Sequence, residues 1–124
     1  MRDFTVMEVS EFVGDFFEKV RTRDYNSSSI EAATRCFYEY EPIMDDGITE
    51  KIVFTLYIME SMLKVDRRIY IGQHDLISDA IEKVLGGGVE LDLSVEEKEK
   101  IILLANKLKE QLSQMEIIYD PNER

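Results

Sequence analysis

Apolar residues recur every three or four positions along most of this chain, the spacing of one buried helix face. From Val6 to Val20 they fall at Val9, Phe12, Val13, Phe16, Phe17 and Val20, with Glu8, Glu11, Asp15 and Glu18 on the opposite side. Lys19, Arg21 and Arg23 gather where a helix C-terminus favours positive charge. Gly14 weakens this run by roughly 1 kcal/mol relative to Ala. Asp24 to Ser29 is a polar connector. Ser28 and Glu31 then form a capping box, in which the hydroxyl accepts from the Glu31 amide and the carboxylate reaches back. The helix they open continues through Ala32, Ala33, Cys36, Phe37 and Tyr40, and Pro42 should end it or bend it sharply.

Asp45-Asp46-Gly47 reads as a turn. A third helix, with Ile48, Ile52, Val53, Leu56, Tyr57, Met59 and Leu63 plus Ile58 and Met62, has little room for a wet face and should lie centrally. Arg67 to Gly72 is a short link that can be extended. A fourth helix is expected from about Asp75 to Leu85, burying Leu76, Ile77, Ala80, Ile81 and Val84, and Gly86-Gly87-Gly88 ends it. Ser94 and Glu97 form a second capping box. It opens a long helix through Ile101, Leu104, Ala105, Leu108, Leu112 and Met115, with Glu96 and Lys100 as an i,i+4 pair. The expected fold is all-α, one bundle of about five helices over residues 1–119, followed by a frayed tail at 120–124.

Composition narrows the function classes. The 124 residues carry 26 acids against 15 bases, a net charge of −11. Residues 1–62 hold 13 acids and 6 bases, and residues 63–124 hold 13 and 9. At 44 % hydrophobic the chain is too apolar for a disordered acidic tail. The charge argues against unaided binding of nucleic acid, which depends on Lys and Arg replacing phosphate counterions. It favours a basic partner instead. No stretch approaches the roughly 18 apolar residues of a membrane span, and the N-terminus lacks a secretory pattern. Cys36 is the only cysteine, so one chain forms no internal disulfide and no Cys-based zinc site. A cytoplasmic protein with no membrane partner is expected.

Catalytic signatures are missing: no HExxH, no phosphate-binding loop, no nucleophile elbow. His74 is the only histidine, and a di-iron bundle needs two. Asp45-Asp46-Gly47 does not fit a calcium loop. The three glycines follow a helix and precede Glu90 and Asp92, the wrong setting for a phosphate cradle. No catalytic residue, cofactor or metal is expected.

One segment stands apart. Cys36 to Glu50 contains Glu39, Glu41, Asp45, Asp46 and Glu50 and no basic residue, interleaved with Phe37, Tyr38 and Tyr40. Helical spacing turns Phe37 and Tyr40 to the core and leaves Tyr38 outside. An exposed tyrosine among carboxylates suits an interface with a basic protein, so Tyr38, Glu39, Glu41, Asp45, Asp46 and Glu50 are the candidate partner-binding residues. The second acidic stretch, from Glu90 to Glu99, needs only the helix dipole to explain it.

Phe16-Phe17, the Phe37-Tyr38-Glu39-Tyr40-Glu41 run, the apolar Ile52–Leu63 helix, and Ala80-Ile81 before the glycine stop and a charged last helix together resemble bacterial immunity proteins of polymorphic toxin systems, and in particular immunity protein family three. The resemblance spans about Val9 to Leu112. It implies a non-catalytic cytoplasmic protein that neutralises a cognate toxin, often a nuclease. The alternative class is an acidic helical adaptor or regulator. Ile102, Leu103, Ile117 and Ile118 would then form an apolar face, and the protein could be a homodimer; the oligomeric state stays open.

Overall fold

The computed structural model describes residues 4–23 and 28–119. Five helices are present: α1 (Val6–Arg23), α2 (Ser29–Met44), α3 (Ile48–Leu63), α4 (Ile71–Leu85) and α5 (Val95–Leu112). Two three-residue strands accompany them, β1 (Arg68–Tyr70) and β2 (Glu116–Ile118). The expected all-α bundle stands, with the strands as an addition. The 24–27 connector and the 120–124 tail lie outside the described residues.

Helix α3 packs against all four other helices. Its Val53, Phe54, Leu56, Ile58, Met59 and Met62 are fully buried, which explains its nearly uninterrupted apolar sequence. Phe54 is the hub of a ring cluster. Its centroid lies 5.3 Å from Phe4, 5.7 Å from Phe12 and 5.1 Å from Tyr40. Phe16 meets Tyr40 edge-on at 5.7 Å, and the Tyr40 hydroxyl donates to the Phe12 carbonyl. Rings at such separations add about 0.5–1.5 kcal/mol per pair beyond area burial. They fix α1 and α2 together over α3.

Both expected serines cap their helices, and the full reciprocal box is present at α5. Ser28 Oγ accepts from Glu31 N–H at 3.2 Å, and Ser94 and Glu97 exchange both bonds of their box. Thr5 and Glu8 form a second reciprocal pair ahead of α1. At the end of α4 Gly86 caps the helix and Gly87 adopts φ +67°, a left-handed conformation suited to glycine.

Three boundaries differ from expectation. Helix α2 continues through Pro42 to Met44. Proline there removes only the bond to the Tyr38 carbonyl on the exposed face, and Asp45 N–H still closes on Glu41 O. Helix α4 begins at Ile71, four residues ahead of Asp75, because Gln73 does the capping. Its Oε1 accepts from Tyr70 N–H, while its Nε2 donates to Ile30 O and Thr34 Oγ1 of α2. Helix α5 stops at Leu112, so Met115 leads into β2 and is not helical.

Strand β2 lies parallel to β1, with Arg68 opposite Glu116 and Tyr70 opposite Ile118. Asp66 prepares β1: its Oδ1 accepts from the amides of Arg67 and Arg68, and its Oδ2 accepts from Ser29 Oγ. The segment between α4 and α5 is pinned where Asp92 N–H donates to Thr49 Oγ1. No helix among the described residues is long and apolar enough to cross a membrane.

Candidate functional site

Helix α2 buries Ile30, Ala32, Ala33, Cys36 and Met44. Its opposite face is a stripe of Glu31, Arg35, Tyr38, Pro42 and Asp45, spaced four, three, four and three residues apart. Tyr38 is 72 % exposed, the highest value among the large apolar side chains of α1 to α4, ahead of Met7 at 57 %.

 Glu39 and Glu41 flank the stripe on either side and are exposed, as are Asp45 and Asp46 at the turn.

Five of the six sequence-derived candidates thus share one outward surface at the C-terminal half of α2 and the turn after it. Glu50 is set apart. It is half-buried in the first turn of α3, and its Oε2 would lie 2.6 Å from a β-carbon placed on Gly47. Its carboxylate therefore lies over the backbone that starts α3, where the helix dipole favours it.

The acidic surface also extends onto α1, an extension with no local sequence signal. Tyr40 is half-buried, and its phenol is pushed up to about 12, first by burial and then by the charges of Cys36, Glu39 and Asp15. Asp15 of α1 and Glu39 of α2 are thus both near one phenol. Only the docking of Phe12 and Phe16 on Tyr40 brings them there.

The remaining chemistry is inert or structural. Cys36 is buried, and burial followed by the Glu39 charge pushes its thiol up to about 12, the opposite of an activated nucleophile. His74 lies in the first turn of α4, half-buried, with Nδ1 3.4 Å from Asp75 Oδ1. Among the described residues no group of three or more His, Cys, Asp or Glu side chains could hold a metal ion. What the α2 face offers is contact area and a negative field.

The chain matches the family described as immunity protein Imm3 over residues 2–123. No curated protein matches it, and no solved structure does.

Proposed function

Because the chain belongs to the immunity protein Imm3 family, which implies an immunity protein against a toxin, we propose that it neutralises a basic, nuclease-type toxin domain through the outer face of α2. The observation that carries this reading is Tyr38, 72 % exposed and bordered by Glu39, Glu41, Asp45 and Asp46. An aromatic ring supplies contact area at low entropic cost, and the carboxylates steer a basic surface onto it. Glu50 adds its charge from the base of α3. A nuclease presents a basic groove to phosphates, so an acidic protein seated there competes directly with the substrate. Inhibition by occlusion requires no catalytic group and no cofactor, and it takes place in the cytoplasm of the producing cell.

The test is binding to the cognate toxin domain, at low salt, with Glu39, Glu41, Asp45 and Asp46 all reversed to Lys. Slower association and lost protection support the reading. Unchanged binding would move the contact to another surface.

A further inference from the structure

The two edges of the β1–β2 pair are finished differently. On the outer side of β1 the amides of Arg68 and Tyr70 donate to side chains, to Asp66 Oδ1 at 3.0 Å and Gln73 Oε1 at 3.3 Å. Strand β2 has no such closure. Glu116 N–H donates to Arg67 O at 2.8 Å, so in the parallel register Glu116 and Ile118 turn their backbone groups toward β1. Ile117 between them turns its N–H and C=O the other way, because backbone groups alternate in direction along a strand. Neither group has a partner among the described residues.

The side chains beside this edge are open as well. Ile117 and Tyr119, at the spacing of one strand face, are 43 % and 76 % exposed. Proteins commonly blunt such an edge with lysine or proline, and Glu116–Ile118 carries neither. An unpaired main-chain donor and acceptor on an extended edge recognise one kind of ligand, another extended main chain. The net charge of −11 opposes a second copy of this chain there and draws a basic protein instead.

We propose that the outer edge of β2 receives an extended segment of the toxin domain, which joins the β1–β2 pair as a further strand. Ile117 N–H and C=O each form a main-chain bond to that segment, and Ile117 and Tyr119 give its alternate side chains a surface to pack on. The proposal rests on the reading that the partner is a basic toxin, but not on the seat of that toxin at α2. Charge on α2 guides approach, whereas direct bonds at β2 resist departure.

The experiment measures binding of the cognate toxin domain to the full chain as wild type, Ile117→Pro and Ile117→Val, at low and high salt. Amide hydrogen exchange of the wild type is followed alone and in the complex. Proline deletes the outward N–H and is tolerated on an edge strand, while the inward bonds of Glu116 and Ile118 stay. The expected result is at least about fivefold weaker binding for Ile117→Pro at both salt concentrations, with Ile117→Val within about twofold of wild type. The Ile117 amide should exchange freely in the isolated protein and be protected in the complex. Protection of the Ile69 amide verifies that Ile117→Pro keeps the β1–β2 pair, and if it does not, the wild-type exchange result decides alone. Wild-type affinity in a folded Ile117→Pro, or an Ile117 amide left unprotected in the complex, overturns the proposal. So does protection that appears without toxin as concentration rises, which assigns the edge to a second copy. Reversing the four α2 acids separates the two readings. A complex that survives that reversal yet weakens with Ile117→Pro removes the α2 seat and keeps the β2 edge, and the opposite pattern does the reverse. A wild type that binds no toxin overturns both.

Discussion

The Glu97 carboxylate accepts from the Val6 amide at 3.0 Å through Oε2 while its Oε1 accepts from Ser94 N–H at 3.1 Å. One side chain thereby serves the N-termini of two helices, one of which begins 91 positions earlier. Both termini present unpaired amides and a positive dipole end, so a carboxylate shared between them satisfies donors in each.

Glu97→Ala should lower stability by about 2 kcal/mol, the scale of a lost cap plus a charge-assisted hydrogen bond. Glu97→Gln keeps an acceptor and should lose about half as much. Urea denaturation followed by helical circular dichroism measures both. A loss within error for Glu97→Ala would mean that water replaces the carboxylate at no cost.

Gln73 is 6 % exposed and ties α4 to α2 by its bonds to Ile30 O and Thr34 Oγ1. Replacing it by Leu leaves the Tyr70 amide without its side-chain acceptor, and a loss of about 2 kcal/mol is expected. Hydrogen exchange at the start of α4 should accelerate together with this loss.

Alkaline pH should destabilise the fold in a defined order. Cys36 ionises near 9.0 when unfolded and near 12 when folded, and Tyr40 shifts from 10.0 to about 12. Tyr57 is also raised, by burial and then by Glu60. Each native group retains a proton that the unfolded chain releases, so the stability is complete below the unfolded value and is lost as pH rises toward the folded one. The slope is at most about 1.4 kcal/mol per pH unit for Cys36, and smaller for the partly exposed tyrosines, whose interactions solvent screens. Cys36→Ala should remove the part that begins near pH 9 and leave the tyrosine part, as read from urea midpoints between pH 8 and 11.

On the α2 face, charge and contact should separate kinetically. Reversing Glu39, Glu41, Asp45 and Asp46 to Lys should slow association with the toxin by about tenfold or more at low salt, with little effect at high salt. Tyr38→Ala should instead speed dissociation, by roughly tenfold if the ring is an anchor. Surface plasmon resonance resolves the two rates. If Tyr38→Ala changes neither, the ring is a bystander.

The helices were legible because burial on one face leaves a period in the sequence. Val9, Phe12, Val13, Phe16 and Phe17 place α1 without reference to anything else, and Ser94 with Glu97 marks the start of α5. The strands were not legible. Three residues are too few to show alternation, and Ile69 pairs with Ile117 across two intervening helices. The start of α4 was hidden for a related reason, since Gln73 caps it while also bonding to α2, and no nearby Ser or Asp announces it. The same holds for the surface. Tyr38 and its carboxylates could be read from helical spacing, but the approach of Asp15 to Tyr40 exists only once α1 and α2 have packed.

The sealed position of Cys36 makes it a clock. It is the chain's only thiol and has no exposed surface. A thiol reagent can reach it only during excursions in which α2 lifts from its neighbours, so the labelling rate counts those openings one molecule at a time. A protein seated on the outer face of α2 touches neither the sulfur nor its surroundings, yet by holding the helix down it would slow the count.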